Sequence, residues 1–111
     1  ESFQSILHNL IDNAIRYGRT GGQIVVRLEE TAERIQLSVS DDGPGIAPAE
    51  HGRVFDRFYR GEGQDAPGTG LGLAIVKKAV SNLGGHICLG AGLQGRGVSF
   101  IVVFVKASSS Q

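Results

Sequence analysis

Two asparagines four residues apart, Asn9 and Asn13, are well suited to hold a cation against a phosphate chain. Residues four apart on a helix share a face. An amide oxygen is a neutral hard ligand, suited to Mg²⁺ that keeps several waters and bridges phosphates. Arg16 extends the same face by about a turn and can neutralise phosphate charge. The spacing alone would also suit two solvated helix asparagines. Further on, Asp41-Asp42-Gly43-Pro44-Gly45 follows a strand pattern. A carboxylate is a pure hydrogen-bond acceptor, so Asp41 can read an amine edge. Gly43 and Gly45 let backbone approach a flat ligand with no Cβ in the way. A plain Asp-Gly turn would look the same, and Asp42 is expected to face solvent or cap that turn. Gly68-Thr69-Gly70-Leu71-Gly72 precedes an amphipathic stretch. Bare N–H groups at a helix N-terminus bind anions. The spacing is GxGxG, distinct from the dinucleotide fingerprint, and no Gly-Lys-Ser/Thr of a P-loop occurs. Taken alone, such a cluster reads as linker.

The elements that must carry these residues are legible from periodicity. Residues 2–17 read as a helix with Ser2 as N-cap, and Phe3, Ile6, Leu7, Leu10, Ile11 and Ala14 recur at helical spacing. Asn9 and Asn13 border that stripe, and Tyr17 lies between Arg16 and the core side. Gly18 and Gly21-Gly22 end the helix. Residues 23–30 and 34–41 alternate as strands, with Ile24, Val26 and Leu28, then Ile35, Leu37 and Val39, on the expected core side. The short Thr31-Ala32-Glu33 link predicts an antiparallel hairpin. Residues 48–58 suggest a short helix and an aromatic anchor. Residues 60–70 carry four glycines and a proline without apolar pattern, which predicts a loop. A second helix is expected over 71–83, with Leu73, Val76, Val80 and Leu83 on one face and Gly84 as C-cap. Strands follow at 86–90 and 97–105. The latter is apolar on both faces, which suggests cover on both sides or a partner domain. Helix, hairpin, helix, hairpin predicts an α/β sandwich with the helices on one face of a mixed sheet.

Composition narrows the classes. The 111 residues suffice for one compact domain, and 41% hydrophobic content suits a globular chain. Net charge is zero, which argues against a dedicated nucleic-acid binder. Cys88 is the single cysteine, so neither an internal disulfide nor a CxxC knuckle exists, and a cytoplasmic setting fits. No apolar run approaches the ~20 residues of a membrane span, and no signal peptide is visible. With no methionine, the chain reads as a domain of a longer protein, and residues 107–111 as a tail.

Four motifs in fixed order carry a resemblance: His8-Asn9-Leu10-Ile11-Asp12-Asn13-Ala14, Asp41-Asp42-Gly43-Pro44-Gly45-Ile46, Arg53-Val54-Phe55-Asp56-Arg57-Phe58-Tyr59-Arg60 and Gly68-Thr69-Gly70-Leu71-Gly72-Leu73. Together they resemble the nucleotide-binding domain of bacterial sensor histidine kinases, in the ATPase group that includes type II topoisomerases and Hsp90 chaperones. The likeness covers nearly the whole chain. It implies the Bergerat-type two-layer sandwich, with one ATP-binding catalytic domain over 1–106 and a lid over about 60–70. It also implies ATP and Mg²⁺ as ligands. Asp41 would accept from the adenine amine, which selects ATP over GTP. Asn13 and Asn9 would hold the metal, while Asn9 and Arg60 would take catalytic roles, Arg60 at the γ-phosphate. Nucleotide contacts carry over to Arg16, Tyr17, Gly43, Gly45, Ile46, Tyr59, Gly68, Thr69, Gly70, Leu71, Gly72 and Leu73. Gly95-Arg96-Gly97-Val98-Ser99-Phe100 resembles the closing glycine-threonine box, with Ser99 supplying a hydroxyl near adenine. Phe55 and Phe58 resemble the F box, which would anchor the lid.

The resemblance further implies phosphoryl transfer to a histidine on a separate dimerisation domain. Asn9 stands where the related ATPases use a water-activating glutamate, so hydrolysis would be suppressed. His8, His51 and His86 lack phosphoacceptor context and are expected at the surface or an interface. The Arg-Phe-Tyr-Arg segment resembles kinases paired with winged-helix response regulators. The parent would sit in the bacterial inner membrane, with this domain cytoplasmic and no direct contact to nucleic acid. Two alternatives stand beside this reading: an anti-sigma-type serine kinase, and a non-catalytic nucleotide-binding regulatory module.

Overall fold

The structure is a computed structural model that describes residues 3–46, Phe55 and 72–106. The order is α1 (Phe3–Tyr17), β1 (Ile24–Glu30), β2 (Arg34–Asp41), α2 (Gly72–Asn82), β3 (Gly85–Ala91) and β4 (Val98–Val105), with a single 3₁₀ turn at Leu93–Gly95 between β3 and β4. The strands form one sheet in the order β1-β2-β4-β3. Each ladder among the described residues is antiparallel. The sandwich class stands, while the expected mixed sheet is corrected: hairpin links join β1 to β2 and β3 to β4, and both hairpins run their strands in opposite directions.

The apolar stripe of α1 does what its spacing predicts. Ile6, Leu10 and Ala14 are buried, and Phe3, Leu7 and Ile11 pack beside them. From α2 come Val76, Ala79 and Val80, and from the sheet Leu37, Val39, Val98, Phe100 and Val102. Each fully buried side chain of this size contributes roughly 1.5–3 kcal/mol of transfer free energy. Phe55 joins this core edge-on against Phe100, with ring centroids 6.2 Å apart, and Lys77 Nζ stands 5.4 Å from its ring. Phe58, the second expected aromatic anchor, lies outside the described residues, as do the 48–58 helix, apart from Phe55, and the 60–70 loop.

Two core assignments are overturned. Every residue of β1 is exposed, Leu28 at 59%. β1 is an edge strand, and the helices lie over the rest of the sheet, so its alternation finds no cover. Leu83 is 47% exposed because α2 ends at Asn82, one residue before it. Gly84 closes that end with φ +80°, its N–H bonded to the Ser81 carbonyl. On β4, the second apolar face is partly covered: Ile101 and Val103 are half-buried, and Val105 is exposed.

Candidate nucleotide site

The register of the sheet decides which polar side chains can share a site. Leu37 pairs with Val102 and Val39 with Phe100, and all four are buried beneath the helices. Side chains alternate along a strand, so Asp41 falls on this helix-covered face. It is 6% exposed. Its Oδ1 accepts the Gly43 N–H at 2.9 Å. Among the described residues its second carboxylate oxygen has no partner, so one acceptor stays available.

Glycine backbone walls this carboxylate. Gly97 has φ +77°, and a Cβ there would overlap both the carbonyl oxygen and Oδ1 of Asp41. Gly45, at φ +79°, approaches the Gly97 carbonyl so closely that a Cβ would lie 3.0 Å from it. Ile46 is half-buried and packs against the core. The closing-box glycine therefore does more at this site than the sequence signalled: its bare Cα is what lets the β4 entry lie against Asp41.

Ser99 is not brought to that carboxylate. It pairs with Ser40, one residue out of phase with Asp41, and so points to the opposite face. There its hydroxyl donates to the Ala91 carbonyl at 2.5 Å and lies 2.6 Å from Ser40 Oγ. Since its one proton goes to Ala91, Ser40 donates to it. Both serines are buried, and the pair serves the sheet.

Asn9 and Asn13 lie half-buried on α1. The Asn9 amide nitrogen donates to the Ser5 carbonyl at 2.8 Å, and among the described residues its oxygen has no partner. Asn13 shows no hydrogen bond through its side chain among the described residues. Two amide oxygens on one helical face suit a hard, partly hydrated cation. Arg16 is drawn along the helix to Asp12, Nε to Oδ2 at 2.7 Å, in an exposed i,i+4 pair. Tyr17 ends α1. Gly72 opens α2 and Leu73 packs on the core behind it. Tyr59, Arg60, Gly68, Thr69, Gly70 and Leu71 lie outside the described residues.

Asp42 is the residue that sequence reasoning misplaced. It is 4% exposed and faces inward toward the turn after α1. Its Oδ1 accepts the Gln23 N–H and its Oδ2 the Arg19 guanidinium, each at 3.0 Å. The Gln23 hydrogen bond, with Arg19 adding to it, holds its carboxyl below the usual value despite desolvation. A charged residue next to a turn glycine signals capping, but its capped group lies 19 residues away.

The described residues thus place a buried acceptor walled by glycine backbone, and a helix with two half-buried asparagines, on a two-layer sandwich. The chain belongs to the family of histidine kinase-, DNA gyrase B- and HSP90-like ATPases, whose model matches residues 1–108. Within it, the similarity runs to sensor histidine kinases. The chain is 42% identical over 104 residues to sensor protein kinase PmrB of Pseudomonas aeruginosa, covering 93% of this chain and 22% of that one. It is 44% identical over 100 residues to the histidine-protein kinase/phosphatase MprB of Mycobacterium leprae, covering 86% and 19%. It thus spans about a fifth of the length of these curated relatives. Among solved structures, a mycobacterial sensor histidine kinase MprB superposes with TM-score 0.81 at 36% identity, covering 91% of this chain and 70% of that one. Full-length ShkA in complex with AMPPNP superposes with TM-score 0.74 at 32% identity, covering 95% and 22%. The chain is a catalytic ATP-binding domain of the sensor histidine kinase kind, and the similarity supports that reading over the serine-kinase and non-catalytic alternatives.

Proposed function

We propose that the domain binds Mg-ATP, with Asp41 reading the adenine amine and Asn13 and Asn9 facing the metal and phosphates, and presents the γ-phosphate to a histidine on a separate dimerisation domain of its parent. The observation that carries this is the buried Asp41 carboxylate, fixed by Gly43 through one oxygen and without a partner at the other among the described residues. A ligand amine entering there meets an acceptor already oriented and dehydrated, so little reorganisation is needed on binding. The complex of ShkA with a non-hydrolysable ATP analogue supports the same ligand class.

The residues fit Mg²⁺ chemically, since neutral amide oxygens leave room for waters and phosphate oxygens in its shell. The metal's contribution would be to bridge phosphates and spread their charge. Asn9 is a poor base, so water at that place is not activated, and the phosphoryl group is kept for an acceptor brought in by the partner domain. Arg60 meets the γ-phosphate, and Tyr59, Gly68, Thr69, Gly70 and Leu71 complete the phosphate side together with the α2 N-terminus. The phosphorylated dimerisation domain then passes the group to a response regulator of the winged-helix type. The domain, over residues 1–106, lies on the cytoplasmic side of a parent held in the bacterial inner membrane. Among the described residues no helix is long and apolar enough to cross a membrane.

The test is incubation with radiolabelled ATP, with and without the dimerisation-helix fragment of the same parent. Acid-labile label should appear on the fragment and none should persist on this chain. Stable label on this chain alone, or rapid ATP turnover without the fragment, would overturn the separate-acceptor reading.

A further inference from the structure

We propose that Asp42 is a positioning residue for nucleotide binding: a latch that holds the metal-facing helix α1 and the base-reading strand β2 at a fixed separation. The inference rests on the reading of Asp41 and Asn13 given above and extends it to a residue outside that contact set.

The latch is built from four contacts at one place. Asp42 uses both carboxylate oxygens on the α1–β1 turn, one on the Gln23 N–H and one on Arg19. Gly22 lies so close to Asp42 Oδ1 that a Cβ there would overlap it. Gly43, the next residue on the strand side, packs on Gly18, where a Cβ would stand 2.9 Å from the Gly18 Cα. The turn itself is closed by Gly18 N–H to the Ala14 carbonyl and Gly22 N–H to the Arg19 carbonyl. Backbone therefore meets backbone between the end of α1 and the end of β2, and a buried carboxylate ties the two.

This junction has a consequence for a ligand that spans both elements. Asn13 lies about a turn and a half before Gly18, and Asp41 lies immediately before Asp42. If the two elements keep their spacing, base and phosphates engage together, and the second contact gains from the first. If the junction loosens, each contact survives separately but the joint gain shrinks. A residue that only stabilises the fold has no such effect: it lowers the folded fraction and weakens all ligands equally.

The discriminating quantity is the ratio of adenosine to ATP dissociation constants in Mg²⁺, measured by chemical-shift titration well below each variant's melting temperature. Asp42→Ala should weaken ATP by about tenfold and adenosine by no more than about twofold, so the ratio falls about fivefold to tenfold. Asp42→Asn keeps an acceptor for Gln23 and loses the Arg19 ion pair with its hydrogen bond, so its ratio should lie between wild type and Asp42→Ala. Arg19→Gln, at a largely exposed side chain, should move the ratio in the same direction and add nothing to Asp42→Ala. Should Asp42→Ala fail to fold, Asp42→Asn and Arg19→Gln decide the matter. A ratio unchanged from wild type in folded variants overturns the latch. Wild type that ignores ATP, or whose ATP affinity is indifferent to Asp41→Ala, instead overturns the nucleotide reading beneath it.

Discussion

Gly97 lies against Asp41 with no room for a side chain between them: a Cβ on Gly97 would overlap the Asp41 carbonyl oxygen and its Oδ1. The contact joins the entry of β4 to the end of β2, and it fixes one wall of the candidate base pocket. Gly97→Ala should lose about 1–3 kcal/mol of stability through its positive φ alone. Nucleotide binding should fall further than stability, because Asp41 must shift. Denaturant melts and ATP titration of the same sample separate the two effects.

Asp41→Ala should keep the fold, with an unchanged circular dichroism spectrum, while ATP affinity falls. Loss of a buried acceptor facing a ligand amine costs about 1–3 kcal/mol, or roughly fivefold to 150-fold in affinity. Calorimetric affinity equal to wild type would remove Asp41 as the base reader.

Ser99→Ala should do the reverse. It removes the partner of the Ala91 carbonyl and of the Ser40 hydroxyl. The cost is about 1–3 kcal/mol in stability from buried groups left unsatisfied. ATP affinity should stay at the wild-type value, since Ser99 faces away from Asp41. A selective loss of affinity in a stable variant would return Ser99 to the site.

Asn13→Ala should remove most of the Mg²⁺ dependence of ATP binding while leaving metal-free binding close to wild type. Titration with and without the metal is the measurement. Equal Mg²⁺ dependence in variant and wild type would take the metal away from this face of α1.

Stability should fall in acid through Asp42. Its folded carboxyl is held below the ordinary value of 3.8, chiefly by the Gln23 N–H. A group depressed on folding contributes stability that is fully present above its unfolded value and is lost as pH falls through the folded one. Glu30, lowered by Lys106, acts in the same direction. The difference in unfolding free energy between wild type and Asp42→Asn isolates Asp42. It should be flat near neutrality and shrink as pH drops below about 4. A difference that grows toward acid would contradict the assigned hydrogen bonds.

The sequence by itself determined what depends on neighbours in the chain. The helical recurrence of Ile6, Leu10 and Ala14 placed α1 and its buried side, and Gly84 marked the end of α2. The short 31–33 link marked β1 and β2 as an antiparallel hairpin, as observed. The Asn9/Asn13 spacing and the Asp41-Gly43-Gly45 run named residues that the fold brings to candidate positions.

Tertiary structure alone decided what depends on register and on strand order. Ile24, Val26 and Leu28 alternate along β1 as Ile35, Leu37 and Val39 do along β2, yet β1 is bare because it lies at the sheet edge, beyond the cover of the helices. Ser99 and Asp41 differ by one place in the ladder, and a step of one flips a side chain to the other face. Asp42 is buried because the turn after α1 folds onto the end of β2 and supplies both its donors. Nothing in the local pattern around Asp42 encodes Arg19 or Gln23. That pairing exists only once helix, sheet and turn are packed together, and a buried carboxylate is tolerated there because both its oxygens are satisfied.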